Sequence, residues 1–298
     1  MTKKKEFAVT VVVNTFNHED FILQCIESIA SQDFKEEFEI LIIDDASTDK
    51  TNELVCSISE FYPCSIRIVS LETNEYSKGL WPGSRYFRES NSEFLAFCDG
   101  DDYWIDTEKI SKQVSTLRNF PEINIVHTDY FLLQRIGERW HQTSRAKSDV
   151  VKAEETITAR DLVYGNNIKT STVLMRKDHI DFSFFEDARS VPAKDWLLFL
   201  TSTINGKALF MSEKTVCHRV TDKGIWNGLN ELEKFEVKNS LSWYCATYFP
   251  DKEIREVFRN KVILEWLRKK ISSSALYKPL RMFRMSLKII KSAVKRKL

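Results

Sequence analysis

Apolar runs alternate with segments of helical periodicity along the first half of the chain. AVTVVVN at 8–14 and FEILIIDD at 38–45 are dominated by apolar residues, which is typical of strands covered on both faces. Residues 18–32 and 47–61 carry apolar positions at helical spacing. This alternation predicts βαβ units, and hence an α/β fold with a mainly parallel, Rossmann-like sheet flanked by helices.

The pattern becomes less regular further along the chain. It predicts helices at 107–120 and 194–204, two short strands within 208–220, and single strands at 65–71, 93–99, 123–133 and 171–176. Residues 134–156 are polar and predict a hairpin or a loop excursion. Because the pattern is helical from residue 227 onward, we predict a main domain at 1–225 and a helical C-terminal region at 226–298.

Clusters of carboxylates follow two of the predicted strands. Asp44 and Asp45 end one strand, and FLAFCDGDDYW places Asp99, Asp101 and Asp102 at the end of another. Ligands of parallel sheets bind beyond the carboxyl ends of the strands, so these residues predict a binding site at one sheet edge. A divalent cation such as Mg²⁺ or Mn²⁺ prefers oxygen ligands and would relieve the repulsion among the carboxylates.

Each of these motifs also has a purely structural interpretation. The DGDD segment could be a solvated acidic turn, although an EF-hand loop is excluded because Trp104 and Ile110 occupy its glycine and acidic positions. The segment IIDDAST at 42–48 could cap the following helix. Thr15 and Asn17, which follow the first strand, could be turn residues or could contact a nucleotide.

Composition and charge narrow the functional classes. The 298 residues are 43% hydrophobic and 29% charged, which is ordinary for a globular protein. From residue 268 to the end there are eleven Lys or Arg and no Asp or Glu, so the remainder of the chain carries about −10. An acidic body with a basic tail does not indicate a nucleic-acid-binding protein.

Two further features bear on the compartment. The six cysteines form no CxxC pair, which favours a reducing, cytoplasmic environment over a disulfide framework or a zinc ribbon. The start MTKKKEFAVTVVV predicts a first strand rather than a signal peptide, because its apolar run is short and lacks a small-residue cleavage site. No run of about 18 apolar residues occurs, so we predict no membrane-spanning helix.

The segments VVVNTFNHED, EILIIDDASTDKT and FLAFCDGDDYW together resemble the inverting family 2 glycosyltransferases of GT-A fold. The resemblance is strong over residues 8–120 and continues more weakly through 165–177 and 193–196 to 218–228. The combination of segments is specific, whereas each segment alone is not. The resemblance implies transfer of a sugar from a nucleotide-sugar, with a UDP-sugar as the expected donor.

The resemblance also implies roles for the residues at the sheet edge. In this family the segment after the first strand and the second Asp of the DD pair hold the nucleotide, which implies Thr15, Asn17 and Asp45 here. The first Asp of the D-x-D motif faces the ribose, which implies Asp99.

The D-x-D motif further implies a divalent cation, Mn²⁺ or Mg²⁺, at Asp101, with Asp102 as the alternative ligand. A later acid at the start of a helix is the general base of the family, which implies Asp195 in AKDW. Its alternative interpretation is a capping or surface acid. The family usually has an acidic pair at this point, whereas Lys194 precedes Asp195 here.

The diphosphate contacts are less well marked. His218 and Arg219 fall where a late segment of family members often closes on the diphosphate. The usual Ala-Arg-Asn helix is absent, and NEYSKGLWPGSRYF at 74–87 takes its place, which leaves Lys78 and Arg85 as candidate contacts. The candidate acceptor-binding residues, which could equally be turn or packing residues, are Asn167, Thr170, Ser171 and Trp196.

The C-terminal tail has a helical amphipathic pattern. At about 100° per residue, one narrow face is apolar: Leu276, Leu280, Phe283, Leu287, Ile290 and Val294. A neighbouring broad face is basic: Lys278, Arg281, Arg284, Lys288, Lys291 and Lys295. Two interpretations are open, namely binding to an anionic membrane surface at the inner face of the membrane and docking on the protein body.

The sequence therefore predicts an inverting, metal-dependent glycosyltransferase that acts on a glycan or lipid-linked acceptor in cell-surface polysaccharide synthesis. Two alternatives are a nucleotidyltransferase and a non-catalytic protein that binds a sugar nucleotide or a glycan. A nucleotidyltransferase would need a glycine-rich phosphate loop after the first strand, but NTFNHED contains no glycine. A dehydrogenase is disfavoured because GxGxxG is missing there as well.

Overall fold

A computed structural model describes residues 6–58, 61–62, 64–143, 155–188, 191–221 and 229–272. Its ten strands are β1 (Phe7–Thr15), β2 (Phe38–Asp44), β3 (Ser65–Ser70), β4 (Ser92–Asp99), β5 (Tyr103–Trp104), β6 (Ile123–Ile136), β7 (Arg139–Thr143), β8 (Thr156–Ile157), β9 (Leu174–Arg176) and β10 (Lys207–Val220). Its helices are α1 (Ile22–Ala30), α2 (Thr51–Ile58), α3 (Ser84–Glu89), α4 (Lys109–Asn119), α5 (Ala159–Leu162), α6 (Phe182–Asp187), α7 (Lys194–Ser202), α8 (Glu231–Tyr248) and α9 (Lys252–Ser272).

The strands form one mixed sheet in the order β3-β2-β1-β4-β9-β6-β10-β5, with β7 paired to β6 and β8 paired to β10. The β3-β2-β1-β4 half is parallel, as the βαβ pattern predicts. The short strand β9 runs antiparallel to both β4 and β6, so it joins this half to the parallel pair β6-β10. The fold is therefore α/β with helices on both faces, and the carboxyl ends of β1, β2, β4, β6 and β10 share one edge.

Strand β10 differs from the two short strands predicted within 208–220. It is one strand of 14 residues, paired to β6 along its length. Its register shifts between Met211 and Lys214 and again between Lys214 and Val216. These irregularities coincide with the polar residues of the SEKT segment (212–215), which is why the sequence pattern reads as a break.

Two hydrophobic cores cover the two faces of the sheet. Along β1, Val9, Val11 and Val13 pack into one core, and Val12 packs into the other, because successive side chains of a strand point to opposite faces. The first core, which contains Val9, Val11 and Val13, is closed by α1, α2 and α4. The second is closed by α3, α5 and α7 and by the C-terminal helices α8 and α9.

The C-terminal helices are tied to the rest of the described chain. Phe249 and Phe258 are fully buried in the same cluster as Phe199 of α7. Lys261 Nζ donates a hydrogen bond to Val163 O at 2.8 Å and lies 5.4 Å from the ring centroid of Trp196. Within the described ranges, no helix combines the length and the hydropathy needed to cross a membrane.

Two predictions fall outside the described residues. The proposed boundary at residues 225 and 226 lies in the gap between 221 and 229. The amphipathic tail, from Leu276 onward, follows the last described residue, Ser272. Both stay predictions.

Candidate active site

The candidate site forms where three parallel strands end side by side. Thr15 of β1 is in register with Asp44 of β2, and Asn14 is in register with Asp99 of β4. The turn that follows β4 is held against β1 by a hydrogen bond from Gly100 N to Asn14 O at 2.8 Å. The structure thus brings the two predicted carboxylate clusters to one edge.

Gly100 is required by the close approach of this turn to β1. A Cβ at this position would lie 2.8 Å from both Thr15 Oγ1 and His18 Nδ1, which is closer than real Cβ atoms approach other heavy atoms. Thr15 Oγ1 and His18 Nδ1 themselves lie 3.2 Å apart. The glycine therefore allows the D-x-D turn and the segment after β1 to share one small volume.

Asp102 is the fully buried centre of a hydrogen-bond network. Its Oδ1 accepts a hydrogen bond from Arg219 N at 3.0 Å and lies 2.9 Å from His218 Nδ1. Its Oδ2 accepts from Ser171 Oγ at 2.5 Å. Burial raises the pKa of this carboxyl, but the charges of His218 and Lys169 outweigh burial and hold the pKa below its usual value. Asp102 thereby joins the D-x-D turn to the end of β10 and to the turn before β9.

Asp101 has a different environment. Its side chain is 15% exposed, and Oδ2 accepts a hydrogen bond from Thr221 Oγ1 at 3.4 Å and lies 4.0 Å from His18 Nε2. Burial, and then the negative charge of Asp102, raise the pKa of Asp101. A cation beside this carboxyl would remove that penalty.

The donor chemistry of these residues fits a divalent cation. Among the residues with described positions, no group of three or more His, Cys, Asp or Glu forms a preassembled metal cage. Mg²⁺ and Mn²⁺ in nucleotide sites do not need one, because one or two carboxylates and the substrate phosphates supply the ligands. Asp101, with Asp99 beside it, satisfies this requirement. Both oxygens of Asp102 already accept hydrogen bonds from protein groups.

Asp99 shares the site with a lysine that the sequence motifs did not single out. Lys169 Nζ lies 3.4 Å from Asp99 Oδ2 and 3.9 Å from Asp102 Oδ2. Burial lowers the pKa of Lys169, but the charges of Asp102 and Asp99 outweigh burial and raise the pKa above its usual value. Ser171 Oγ approaches Asp99 Oδ2 at 3.4 Å and accepts a hydrogen bond from Asp99 N at 3.2 Å, which fixes the neighbouring turn.

Asp195 lies in the first turn of α7 on the same side of the sheet. Asn166 Nδ2 donates a hydrogen bond to Asp195 Oδ2 at 3.2 Å. Burial is the main cause that raises the pKa of Asp195, and the charge of Lys169 acts in the opposite direction. Burial is the main cause that raises the pKa of Tyr76, and the charge of Asp195 acts in the same direction.

The predicted acceptor residues have diverse positions. Asn167 is exposed, and Thr170 is half-buried at the start of a 3₁₀ turn. Ser171 belongs to the network around Asp102. Trp196 is 5% exposed and donates its indole N–H to Leu162 O at 2.7 Å, so it packs in the core beneath the site. Asn166, one position before the predicted Asn167, makes the contact to Asp195.

At the other end of the site, Asp45 holds a turn of the chain. Asp45 Oδ1 accepts a hydrogen bond from Glu75 N at 2.6 Å, and Oδ2 accepts from Tyr76 N at 3.1 Å. Burial is the main cause that raises the pKa of Asp45. Asn17 has a positive φ of 56° and accepts a hydrogen bond from Thr48 N at 2.8 Å, which ties the segment after β1 to the segment after β2.

The basic residues predicted to contact the diphosphate, Arg219, Lys78 and Arg85, donate hydrogen bonds to other protein groups. Arg219 is 6% exposed, donates to Asp101 O at 2.7 Å and to Gln24 Oε1, and lies 4.5 Å from the ring centroid of Tyr103. Lys78 Nζ donates to Thr73 Oγ1 at 2.5 Å, and Arg85 Nη2 donates to the Tyr86 hydroxyl at 2.9 Å. The Arg219 guanidinium therefore holds the D-x-D turn by donating to a backbone carbonyl of that turn.

Comparison with known proteins identifies the family. Residues 10–181 match the family described as Glycosyl transferase family 2. The chain belongs to this family. The match covers the D-x-D turn, Lys169 and Ser171, and it ends before Asp195.

Several relatives of this family 2 chain have similar sequences. Poly(ribitol-phosphate) β-N-acetylglucosaminyltransferase TarS of Staphylococcus aureus is 24% identical over 271 residues, which are 89% of this chain and 44% of TarS. The UDP-Glc:α-D-GlcNAc-diphosphoundecaprenol β-1,3-glucosyltransferase WfaP of Escherichia coli is 32% identical over 126 residues, 42% of this chain and 46% of WfaP. A Mycobacterium bovis protein is 26% identical over 74% of this chain, which spans 60% of that protein's length.

Solved structures support the same fold. The crystal structure of residues 1–349 of S. aureus TarS in complex with UDP has a TM-score of 0.61 and 20% identity, and covers 89% of this chain and 72% of that chain. The mannosyltransferase PcManGT of Pyrobaculum calidifontis in complex with GDP-Man and Mn²⁺ has a TM-score of 0.53 and 15% identity, and covers 97% of this chain and 86% of that chain. The GT-A expectation for the fold is confirmed.

Proposed function

We propose that this protein transfers a sugar from a UDP-sugar to a hydroxyl of a glycan or lipid-linked acceptor, with inversion, in cell-surface polysaccharide synthesis. The observation that carries the proposal is the grouping of Asp99, Asp101, Lys169 and Asp195 at one sheet edge. Asp99 and Asp101 can serve the sugar donor, and the Asp195 carboxylate can take a proton from the acceptor. The charge of Lys169 acts on all three residues. A protein that only binds a sugar nucleotide would not need a buried carboxylate such as Asp195 to remove a proton.

The names of the relatives support the donor and acceptor classes. Structures of TarS hold UDP and UDP-GlcNAc, and WfaP is named for transfer from UDP-Glc to a lipid diphosphate. The six cysteines are free, which supports a reaction on the cytoplasmic side, where thiols stay reduced.

We propose that a divalent cation, Mn²⁺ or Mg²⁺, binds at Asp101 with Asp99 beside it. Asp101 accepts a side-chain hydrogen bond from Thr221 at Oδ2 alone, whereas both oxygens of Asp102 accept hydrogen bonds, from Ser171 and Arg219. This difference supports Asp101 over Asp102 as the metal ligand. When bound, the cation supplies positive charge to the diphosphate that leaves the sugar. The Mn²⁺ complex of PcManGT supports the metal class.

Asp195 is the proposed general base. A carboxylate within hydrogen-bond reach of the acceptor hydroxyl takes its proton as the new glycosidic bond forms. The raised pKa of Asp195 makes it a stronger base than an ordinary surface aspartate. The hydrogen bond from Asn166 Nδ2 to Oδ2, together with a backbone hydrogen bond from Trp196, orients the carboxylate at the start of α7.

Thermal-shift measurements with UDP-, GDP- and dTDP-sugars, each with and without Mn²⁺, test the donor and metal assignments. We expect UDP-sugars with Mn²⁺ to raise the melting temperature most. Release of UDP from the stabilising sugar nucleotide, followed in an enzyme-coupled assay, then tests catalysis. Stabilisation without any UDP release, with and without saccharide acceptors, would favour the non-catalytic alternative.

A further inference from the structure

Lys169 lies inside the carboxylate cluster rather than at its rim. Its Nζ is 3.4 Å from Asp99 Oδ2 and 3.9 Å from Asp102 Oδ2, and the charge of Asp101 also acts on it. Its side chain is 23% exposed. The backbone is fixed, because Lys169 O accepts hydrogen bonds from Thr172 N at 3.0 Å and from Thr172 Oγ1 at 2.6 Å.

The two ion pairs of Lys169 are long for charge-assisted hydrogen bonds. Such bonds between an ammonium and a carboxylate are usually about 2.7–2.9 Å, whereas the distances here are 3.4 and 3.9 Å. An ammonium has three N–H donors, and neither carboxylate holds Lys169 in a close contact. The group can therefore donate to a further anion without leaving its place.

The position of Lys169 relates it to both halves of the proposed reaction. Its Nζ contacts Asp99, to which the family resemblance assigns the ribose, and its charge acts on Asp195, the proposed base. The bond that breaks, between the sugar carbon and the diphosphate, must lie between the ribose and the base. An ammonium that contacts the first residue and acts by charge on the second is placed to meet the phosphate next to the sugar.

Charge balance calls for such a cation. Asp99, Asp101, Asp102 and Asp195 bring four carboxylates to the region, a nucleotide-sugar adds two further negative charges at its diphosphate, and the proposed divalent cation offsets only two of all these charges. Arg219 donates hydrogen bonds to Asp101 O and Gln24 Oε1. Lys78 donates to Thr73 Oγ1, and Arg85 donates to the Tyr86 hydroxyl. Like charges at such short range repel strongly in a partly buried site, so a cation at Lys169 stabilises the bound donor.

We propose that Lys169 is a donor-binding residue whose ammonium contacts the sugar-linked phosphate of the nucleotide-sugar and stabilises the negative charge that develops there. This inference rests on the proposed function. In the step, the bond between the sugar carbon and the phosphate oxygen breaks and its electron pair stays on that oxygen. The acceptor oxygen bonds to the sugar carbon, and its proton passes to Asp195. Lys169 keeps all its protons and acts by charge alone.

The test compares Lys169→Met with the wild-type protein in binding of UDP and of UMP, with and without Mn²⁺, by isothermal titration calorimetry. Methionine keeps the length and the apolar part of the side chain and removes the charge. Because UMP lacks the sugar-linked phosphate, we expect its affinity to change less than about threefold, while UDP affinity falls roughly 10- to 100-fold. Lys169→Arg should recover most of the UDP affinity.

Lys207→Met is the matched control, because Lys207 is exposed at the amino end of β10, on the opposite edge of the sheet. It should leave both affinities unchanged. An equal loss of UMP and UDP binding in Lys169→Met would overturn the inference in favour of a purely structural role, and so would unchanged UDP binding. If the wild-type protein binds neither UDP nor UMP, the proposed donor class itself fails, together with this inference.

Discussion

The geometry of Asp195 depends on Asn166, which holds one carboxylate oxygen at 3.2 Å, and on burial, which raises the pKa of the carboxyl. Asp195→Asn keeps the size of the side chain and removes the base. We expect the transfer rate to fall about 10²- to 10⁴-fold, with UDP-sugar affinity unchanged, since the proposed role of Asp195 is to take the proton of the acceptor hydroxyl. Single-turnover transfer and donor titration measure the two quantities. Retained turnover with lost donor binding would contradict the assignment.

Lys109 is a buried lysine at the start of α4. It is 1% exposed, lies 4.1 Å from the ring centroid of Trp104 and donates a hydrogen bond to Gln113 Oε1 at 2.7 Å. Burial lowers the pKa of Lys109 to about 7. Between about pH 7 and the unfolded value near 10.5, the unfolded chain therefore holds one proton more than the folded protein.

This difference makes the free energy of unfolding rise with pH in that window, because the state that binds more protons is disfavoured as pH increases. Lys109→Met removes the effect. The difference in free energy of unfolding, wild type minus Lys109→Met, should increase by about 1.4 kcal/mol per pH unit between pH 7.5 and 9.5. Urea unfolding at the two pH values measures it. A constant difference would show that Lys109 titrates normally in the folded protein.

The carboxylates after β2 and β4 could be located from the sequence, because they follow apolar runs that specify buried strands. Asp195, at the start of α7, could be assigned only through the family resemblance. Lys169 and Asn166 could not be assigned in the same way. Lys169 lies 70 positions after Asp99, and it meets that residue only because the antiparallel strand β9 packs beside β4. The segment GNNIKTST is polar enough to be a turn, so its local pattern does not show which side chains face the site.

At the scale of secondary-structure elements, the turn between β4 and β5 depends on the missing side chain of Gly100. Gly100→Ala would place a methyl group 2.8 Å from Thr15 Oγ1 and 2.9 Å from Thr15 Cβ, so the turn must move away from β1. We expect a loss of about 1–3 kcal/mol in the free energy of unfolding and weaker UDP binding. Denaturant unfolding and calorimetry measure these effects.

Gly165→Ala is the control for that substitution. A Cβ at Gly165 would meet no heavy atom within 4 Å. Stability should therefore change by less than about 0.5 kcal/mol. Equal effects of the two substitutions would mean that the close approach of the D-x-D turn to β1 does not occur in solution.

The parallel half of the sheet follows from the sequence pattern, because strands of this half alternate with helices of sufficient length for crossover connections. The remaining strand order does not follow from it. Strand β9 has three residues, and β10 pairs with β6, β5 and β8 at once. Pairing of this kind is decided by tertiary packing, since short apolar runs such as LMR carry no periodicity that would select a partner.

For the whole molecule, the packing of α8 and α9 on the second core links the C-terminal helices to α7, which carries Asp195. Phe258 is fully buried, and its ring centroid lies 6.0 Å from that of Phe249. Phe258→Ala should lower the free energy of unfolding by about 3–5 kcal/mol. Because the cluster is shared, far-ultraviolet circular dichroism and tryptophan fluorescence should report one coincident unfolding transition.

Ile263→Ala on the same helix serves as the comparison, since Ile263 is 54% exposed. It should change stability by no more than about 0.5 kcal/mol. Two separate transitions in Phe258→Ala, one for the helices and one for the sheet, would instead indicate that the C-terminal region is an independent folding unit, as the predicted boundary near residue 225 suggests.

The carboxylate of Asp45 has a consequence for the order in which substrates bind. The family resemblance implies that it holds the nucleotide, and it already accepts hydrogen bonds from the backbone of Glu75 and Tyr76. The charge of Asp195 acts on the side chain of Tyr76. A nucleotide that competes for the Asp45 oxygens would weaken the hydrogen bonds that hold the turn carrying Tyr76. If Tyr76 also contacts the acceptor beside Asp195, thermodynamic linkage requires donor and acceptor to alter each other's affinity by the same factor. Saturation with the acceptor should thus shift donor affinity, and the Asp45 carboxylate would couple the binding of the two substrates.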